Sequence, residues 1–122
     1  MTNPVDLTNL RSMTDGDPEM EKELFAEFCS STEACIATLK GNCTEGANEA
    51  WRSSAHALKG TAINLGAEEL SALCKRAQEG MAASAAEKQQ MLETLMQEYA
   101  RVKTFLQTVH YSNSPLSKGE LL

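Results

Sequence analysis

Residues 51–66 read Trp51-Arg52-Ser53-Ser54-Ala55-His56-Ala57-Leu58-Lys59-Gly60-Thr61-Ala62-Ile63-Asn64-Leu65-Gly66, and the spacing of the apolar members decides the fold. At about 100° per residue on a helix, Trp51, Ala55, Leu58, Ala62 and Leu65 fall within about 40° of one line, which makes a buried stripe. Strands would need alternation, and none is present. Gly66 supplies the left-handed backbone that commonly stops a helix. The segment therefore reads as one amphipathic helix, beginning near Thr44 or Glu45 and ending at Leu65.

The flanking sequence repeats this pattern. Proline occurs only at Pro4, Pro18 and Pro115, so long helices are permitted between 19 and 114. Asp17-Pro18 pairs a capping carboxylate with a proline suited to the first helical position. A helix is expected from there to about Lys40, with Leu24, Phe28, Cys35 and Leu39 inward and Gly41-Asn42 as its end. Another is expected from about Ala67 to Gly80, burying Leu70, Leu73, Cys74 and Ala77. Ser84-Ala85-Ala86-Glu87 reads as a capping box for a last helix to about His110, whose stripe is Leu92, Leu95, Tyr99, Val102, Leu106 and Val109. Ahead of these, a short helix from about Val5 to Met13 would cover one end with Val5, Leu7 and Leu10.

Short connections between long amphipathic helices favour antiparallel neighbours. The expected fold is all-α: an antiparallel up-down four-helix bundle over 17–110 with a short additional N-terminal helix in 1–16. Residues 111–122 are rich in Ser, Asn, Pro, Lys and Gly, and are expected to form a flexible tail.

Composition narrows the function. The 122 residues carry a formal net charge of -6, with 42% hydrophobic and 23% charged residues, so the chain has the makings of one core and no basic field for nucleic acid. No apolar run approaches the length of a membrane span, and Met1-Thr2-Asn3-Pro4 does not resemble a signal peptide, so a cytoplasmic location is expected. Cys29, Cys35, Cys43 and Cys74 form no CxxC pair and only His56 and His110 accompany them, a poor set for zinc. Reduced, structural thiols are expected. Glu19, Glu21, Glu23 and Glu27 read as solvated surface, and His110, at a helix end, is assigned no chemistry.

On the helical wheel His56 lies about 140° from Trp51, with Lys59 near about 80°, Arg52 near about 100°, Ile63 near about 120° and Gly60 opposite the core. His56 thus faces solvent. Glycine inside a helix costs about 0.5–1 kcal/mol relative to alanine, so Gly60, one turn on, calls for a close approach by something. A missing side chain at Gly60 would let another molecule reach the imidazole, and Lys59 could neutralise anionic oxygens arriving there.

The run Ala55-His56-Ala57-Leu58-Lys59-Gly60-Thr61-Ala62-Ile63-Asn64-Leu65-Gly66-Ala67, followed by a helix with leucines and a cysteine that ends near Gln78-Glu79, resembles the signature of the histidine phosphotransfer (HPt) family. Trp51 belongs to the same likeness. The resemblance covers about 48–80 by motif and 18–110 by architecture. It implies that His56 is the phosphoacceptor, through Nε2, that Lys59 is the phosphate-facing lysine, that Gly60 admits the receiver and that Gly66 ends the helix. Ile63 departs from the family, which usually has a small residue there. Either it packs against a neighbouring helix, or it joins Arg52 in a docking rim around His56.

The resemblance further implies a phosphorelay carrier in two-component signal transduction. It would be phosphorylated on histidine by response-regulator receiver domains, with a hybrid sensor kinase as a further partner. The chain would bind no cofactor, the receiver supplying Mg²⁺. No Walker A or kinase glycine-rich loop is present, so no ATP site or autokinase activity is expected. Two rivals remain open at this point: a helical protein-interaction module that is never modified, and the dimerising phosphoacceptor region of a sensor kinase. Because one chain supplies enough helices for a bundle, a monomer is expected.

Overall fold

The computed structural model describes residues 4–44 and 46–111; the side chains of residues 9, 10, 13 and 109–111 lie outside that description, as does the expected tail at 112–122. Among the described residues the regular structure is entirely helical: α1 (Thr8–Thr14), α2 (Pro18–Gly41), α3 (Asn48–Leu65), α4 (Glu68–Glu79) and α5 (Ala85–Tyr111). Helix α3 packs against α2 and α4, and α5 closes the ring against α4 and α2. Three contacts set the helix directions. Trp51, early in α3, meets Ala77 at the end of α4; Lys88, early in α5, meets Thr44 and Asn48; Tyr99 in α5 meets Cys29 and Glu33 in α2. The result is the up-down four-helix bundle.

Local chemistry sets the helix ends. The Asp17 carboxylate accepts the Glu19 amide at 3.0 Å, with Pro18 at the first helical position, so α2 starts where its orphan donors are met. Ser84 and Glu87 form the reciprocal capping box of α5: the Ser84 amide donates to Glu87 Oε1 at 3.1 Å and the Glu87 amide to Ser84 Oγ at 3.2 Å. Gly66 closes α3 with φ 95°. Helix α3 begins at Asn48, later than the Thr44 or Glu45 expected. Gly46 has φ 96° and the Ala47 amide turns back to the Thr44 carbonyl at 3.4 Å, so the chain is in a turn until Ala47. Glu45 is outside the described residues.

The α3 stripe of Trp51, Ala55, Leu58, Ala62 and Leu65 is buried as read, and α5 contributes Leu92, Leu95, Tyr99, Val102 and Leu106. Helix α2 is rotated from the expected face. It buries Phe25, Phe28, Thr32, Ile36 and Leu39, leaving Leu24 exposed and Cys35 half-buried. Two neighbours, α3 and α5, share α2, and their combined surface selects a wider arc than one stripe of four residues defines. Leu73 is half-buried for a similar reason, at the edge of the α4 face that holds Leu70, Cys74 and Ala77.

Glu21 is a further correction. It is buried, not solvated: Thr14 Oγ1 donates to its Oε2 at 3.3 Å and Arg11 stands 3.6 Å from the same oxygen, which ties α1 to α2. Helix α1 itself starts at Thr8, with Val5 and Leu7 in the segment before it. That segment crosses the far end of α3, where the Asp6 amide donates to the Gly66 carbonyl at 2.8 Å and Val5 is buried. All four cysteines are free thiols, Cys74 buried and the others half-buried.

Candidate functional site

Burial of Trp51 fixes the rotation of α3. Its indole nitrogen donates to the Ala77 carbonyl at 2.8 Å, one of the acceptors that the end of α4 leaves without a helical partner. Over the ring lies Lys88, fully buried, with Nζ 5.6 Å from the ring centroid. Its ammonium donates to the Thr44 carbonyl at 2.9 Å and to Asn48 Oδ1 at 3.2 Å, so oxygen and π partners stand in for water around a buried charge. Lys88 drew no attention in the sequence, because a lysine after a capping box reads as outward-facing surface. A buried lysine becomes legible only when the α2–α3 turn is placed against α5.

With that face inward, His56 projects into solvent, and among the described residues it has no hydrogen bond or ion pair. Lys59 is half-buried beside it, and Gly60 is exposed. A Cβ built on Gly60 would meet nothing within 4 Å. Its backbone is ordinary α-helix, so among the described residues neither packing nor conformation demands a glycine there. Ile63 is 54% exposed, which removes the packed alternative for its side chain. Arg52 is half-buried with Nη1 3.5 Å from Glu49 Oε2, an exposed ion pair of the kind that contributes little.

The structure thus brings His56, Lys59, Gly60 and Ile63 onto one open face of α3, with Arg52 one turn earlier. His110, near the end of α5, lies in a helix whose side chains are not described there. On α4, Lys75 borders the same region; it lines a groove with Lys59 and Ile63. The sequence reading of this helix gave Lys75 no role. In an antiparallel hairpin, residues equidistant from the turn face one another, and counting from Gly66-Ala67 would have set position 75 opposite 58 and 59.

Among the described residues no helix is long and apolar enough to cross a membrane. Comparison with curated proteins and with solved structures finds no match. A family model for the Hpt domain matches residues 23–109, from the second turn of α2 to the end of α5. That span holds the bundle and the exposed histidine helix within it, and the chain belongs to the Hpt domain family, the histidine phosphotransfer domains of two-component phosphorelays.

Proposed function

We propose that this chain accepts a phosphoryl group on His56 from the aspartyl phosphate of one receiver domain and passes it to the aspartate of another. The observation that carries the reading is Gly60. A helical glycine with open space where its Cβ would be has no use inside the folded chain, yet it lies one turn from an exposed, unpartnered imidazole. Close approach by a partner explains both.

In the transfer, the lone pair on unprotonated Nε2 of His56 forms the N–P bond as the P–O bond to the aspartate breaks and its electron pair returns to the carboxylate. The proton on Nδ1 stays in place. Catalysis here is positioning and charge neutralisation. Lys59, three residues on, meets the phosphoryl oxygens; Gly60 admits the rim of the receiver; Ile63 offers an apolar contact and Arg52 a cationic one at the edge. The chain itself supplies no cofactor, and the receiver brings the Mg²⁺ and the acidic pocket. It is a carrier and not a kinase, consumed and regenerated in each passage, and 17–110 is the unit that does the work as a monomer.

The test is transfer from radiolabelled phospho-receivers with Mg²⁺ to the wild-type chain and to His56→Gln. Acid-labile, base-stable label on the wild type alone supports the assignment. Label retained by His56→Gln sinks it. A wild-type chain that binds receivers and is never labelled would favour an unmodified interaction module.

A further inference from the structure

We infer that Lys75 on α4 is a second electrostatic contact for the receiver, taking a carboxylate on the receiver surface beside its phosphoaspartate, and so sets which receivers dock. The inference rests on the relay reading above and adds a residue outside the His56 helix.

The observations begin with the groove between α3 and α4. Lys59, Ile63 and Gly66 line it from α3, and Glu68, Ser71 and Lys75 from α4. Its two lysines lie toward His56 and its one acid lies at the α3–α4 turn. The chain is otherwise acidic, with a net charge of -6. Arg11, Arg76 and Arg101 each pair with a glutamate, as does Lys103; Arg52 lies in an exposed, weak pair at the edge of the docking face, and Lys88 is buried. Among the described residues Lys59 and Lys75 have no ion pair; Lys22 and Lys40 have none either, but they stand on α2 and neither lines this groove. Two cations without an ion pair share one groove with the exposed Ile63, a local concentration of positive charge on a chain that is negative overall.

Distance places that spot under any docked receiver. Packed helices have axes about 8–10 Å apart. One turn of helix is about 5.4 Å. A standard interface covers about 800 Å² per partner, a disc of about 16 Å radius. Centred on His56, such a footprint takes in Lys75. A partner covering an unpaired ammonium without answering it would strand the charge, so the receivers that fit are those with a carboxylate at that point. Lys59 is committed to the phosphoryl group, and Lys75, on the neighbouring helix, is free to read the protein that delivers it.

The experiment separates the two lysines by donor. A panel of purified receiver domains, each charged with labelled acetyl phosphate and Mg²⁺, is screened against the wild-type chain, and the fastest donor is used. Phosphoramidate serves as a donor with no protein surface. Lys75→Glu should lower kcat/KM from the receiver by about tenfold through KM, with phosphoramidate labelling unchanged. Lys75→Arg should restore it, and the wild-type rate should fall with salt more steeply than that of Lys75→Gln. Lys59→Ala should slow both donors. An unchanged KM in Lys75→Glu overturns the inference, and so does an equal loss with phosphoramidate, which would put Lys75 on the phosphoryl group. Wild-type chain labelled by phosphoramidate but by no receiver would overturn the relay reading, and this inference with it.

Discussion

The indole N–H of Trp51 donates to the carbonyl of Ala77 at 2.8 Å with the ring fully buried, so the helix that carries His56 is pinned to the one that carries Lys75 by a single directed bond. Trp51→Phe keeps most of the apolar volume and removes the donor, leaving a buried acceptor unmet. The loss should be about 1–3 kcal/mol. Urea unfolding at unchanged m-value measures it, and a loss below about 0.5 kcal/mol would mean that water replaces the bond. Phosphoramidate labelling of His56 should be unchanged in the folded variant.

Gly60→Ala should make the protein more stable and less functional. The site is α-helical with room for a methyl group, so alanine should add about 0.5–1 kcal/mol. Labelling from a phospho-receiver should slow in the same variant, while phosphoramidate labelling holds. Thermal melts and transfer rates on one preparation check both halves. A stabilised variant with wild-type receiver transfer would remove the close-approach account.

Gly66→Ala should fail on two counts. The backbone is left-handed at φ 95°, worth about 1–2 kcal/mol against a side chain, and the new Cβ would overlap the Asp6 carbonyl oxygen. Deleting residues 1–7 removes the second count only. The substitution should therefore be less harmful in the shortened chain than in the full one, by about 1 kcal/mol or more in a double-mutant cycle. Equal penalties in both backgrounds would show that the N-terminal segment yields freely.

Burial pushes the Cys74 thiol up to about 12, neighbouring Cys35 adds to the rise and Lys59 opposes it. The folded chain thus keeps a proton that the unfolded chain releases. The stabilising contribution is complete below the ordinary thiol value of 9.0 and is lost as pH climbs from there toward 12. Wild type should lose stability over that window more steeply than Cys74→Ala. Parallel curves would show that the thiol ionises as easily folded as unfolded.

The core face and the C-terminal end of helix α3 could be read from its own residues, because a buried stripe of five apolar positions on one 18-residue helix leaves a single orientation. His56, Lys59 and Gly60 were placed on its open face by that rotation alone, whereas Ile63, left between packing and exposure, was decided by its 54% exposure in the fold. Caps at Asp17 and Ser84 were equally legible, since each is a bond between residues two or three apart. Helix α2 was not: Leu24 and Phe25 are both apolar, and which of them turns inward depends on where α3 and α5 stand.

What the sequence determined by itself is therefore whatever local spacing encodes: helix identity, the caps, the α3 core face and the exposed histidine with its lysine and glycine. Only the tertiary structure decided the rest. Burial of Lys88 against Trp51, burial of Glu21 under Thr14 and Arg11, the seat of Asp6 on Gly66 and the groove shared by Lys59 and Lys75 each join residues distant in the chain. The physical reason is that hydrogen bonds within a helix reach only a turn, whereas the solvation of a buried charge or the closeness of two cations depends on which other helix comes to lie beside it.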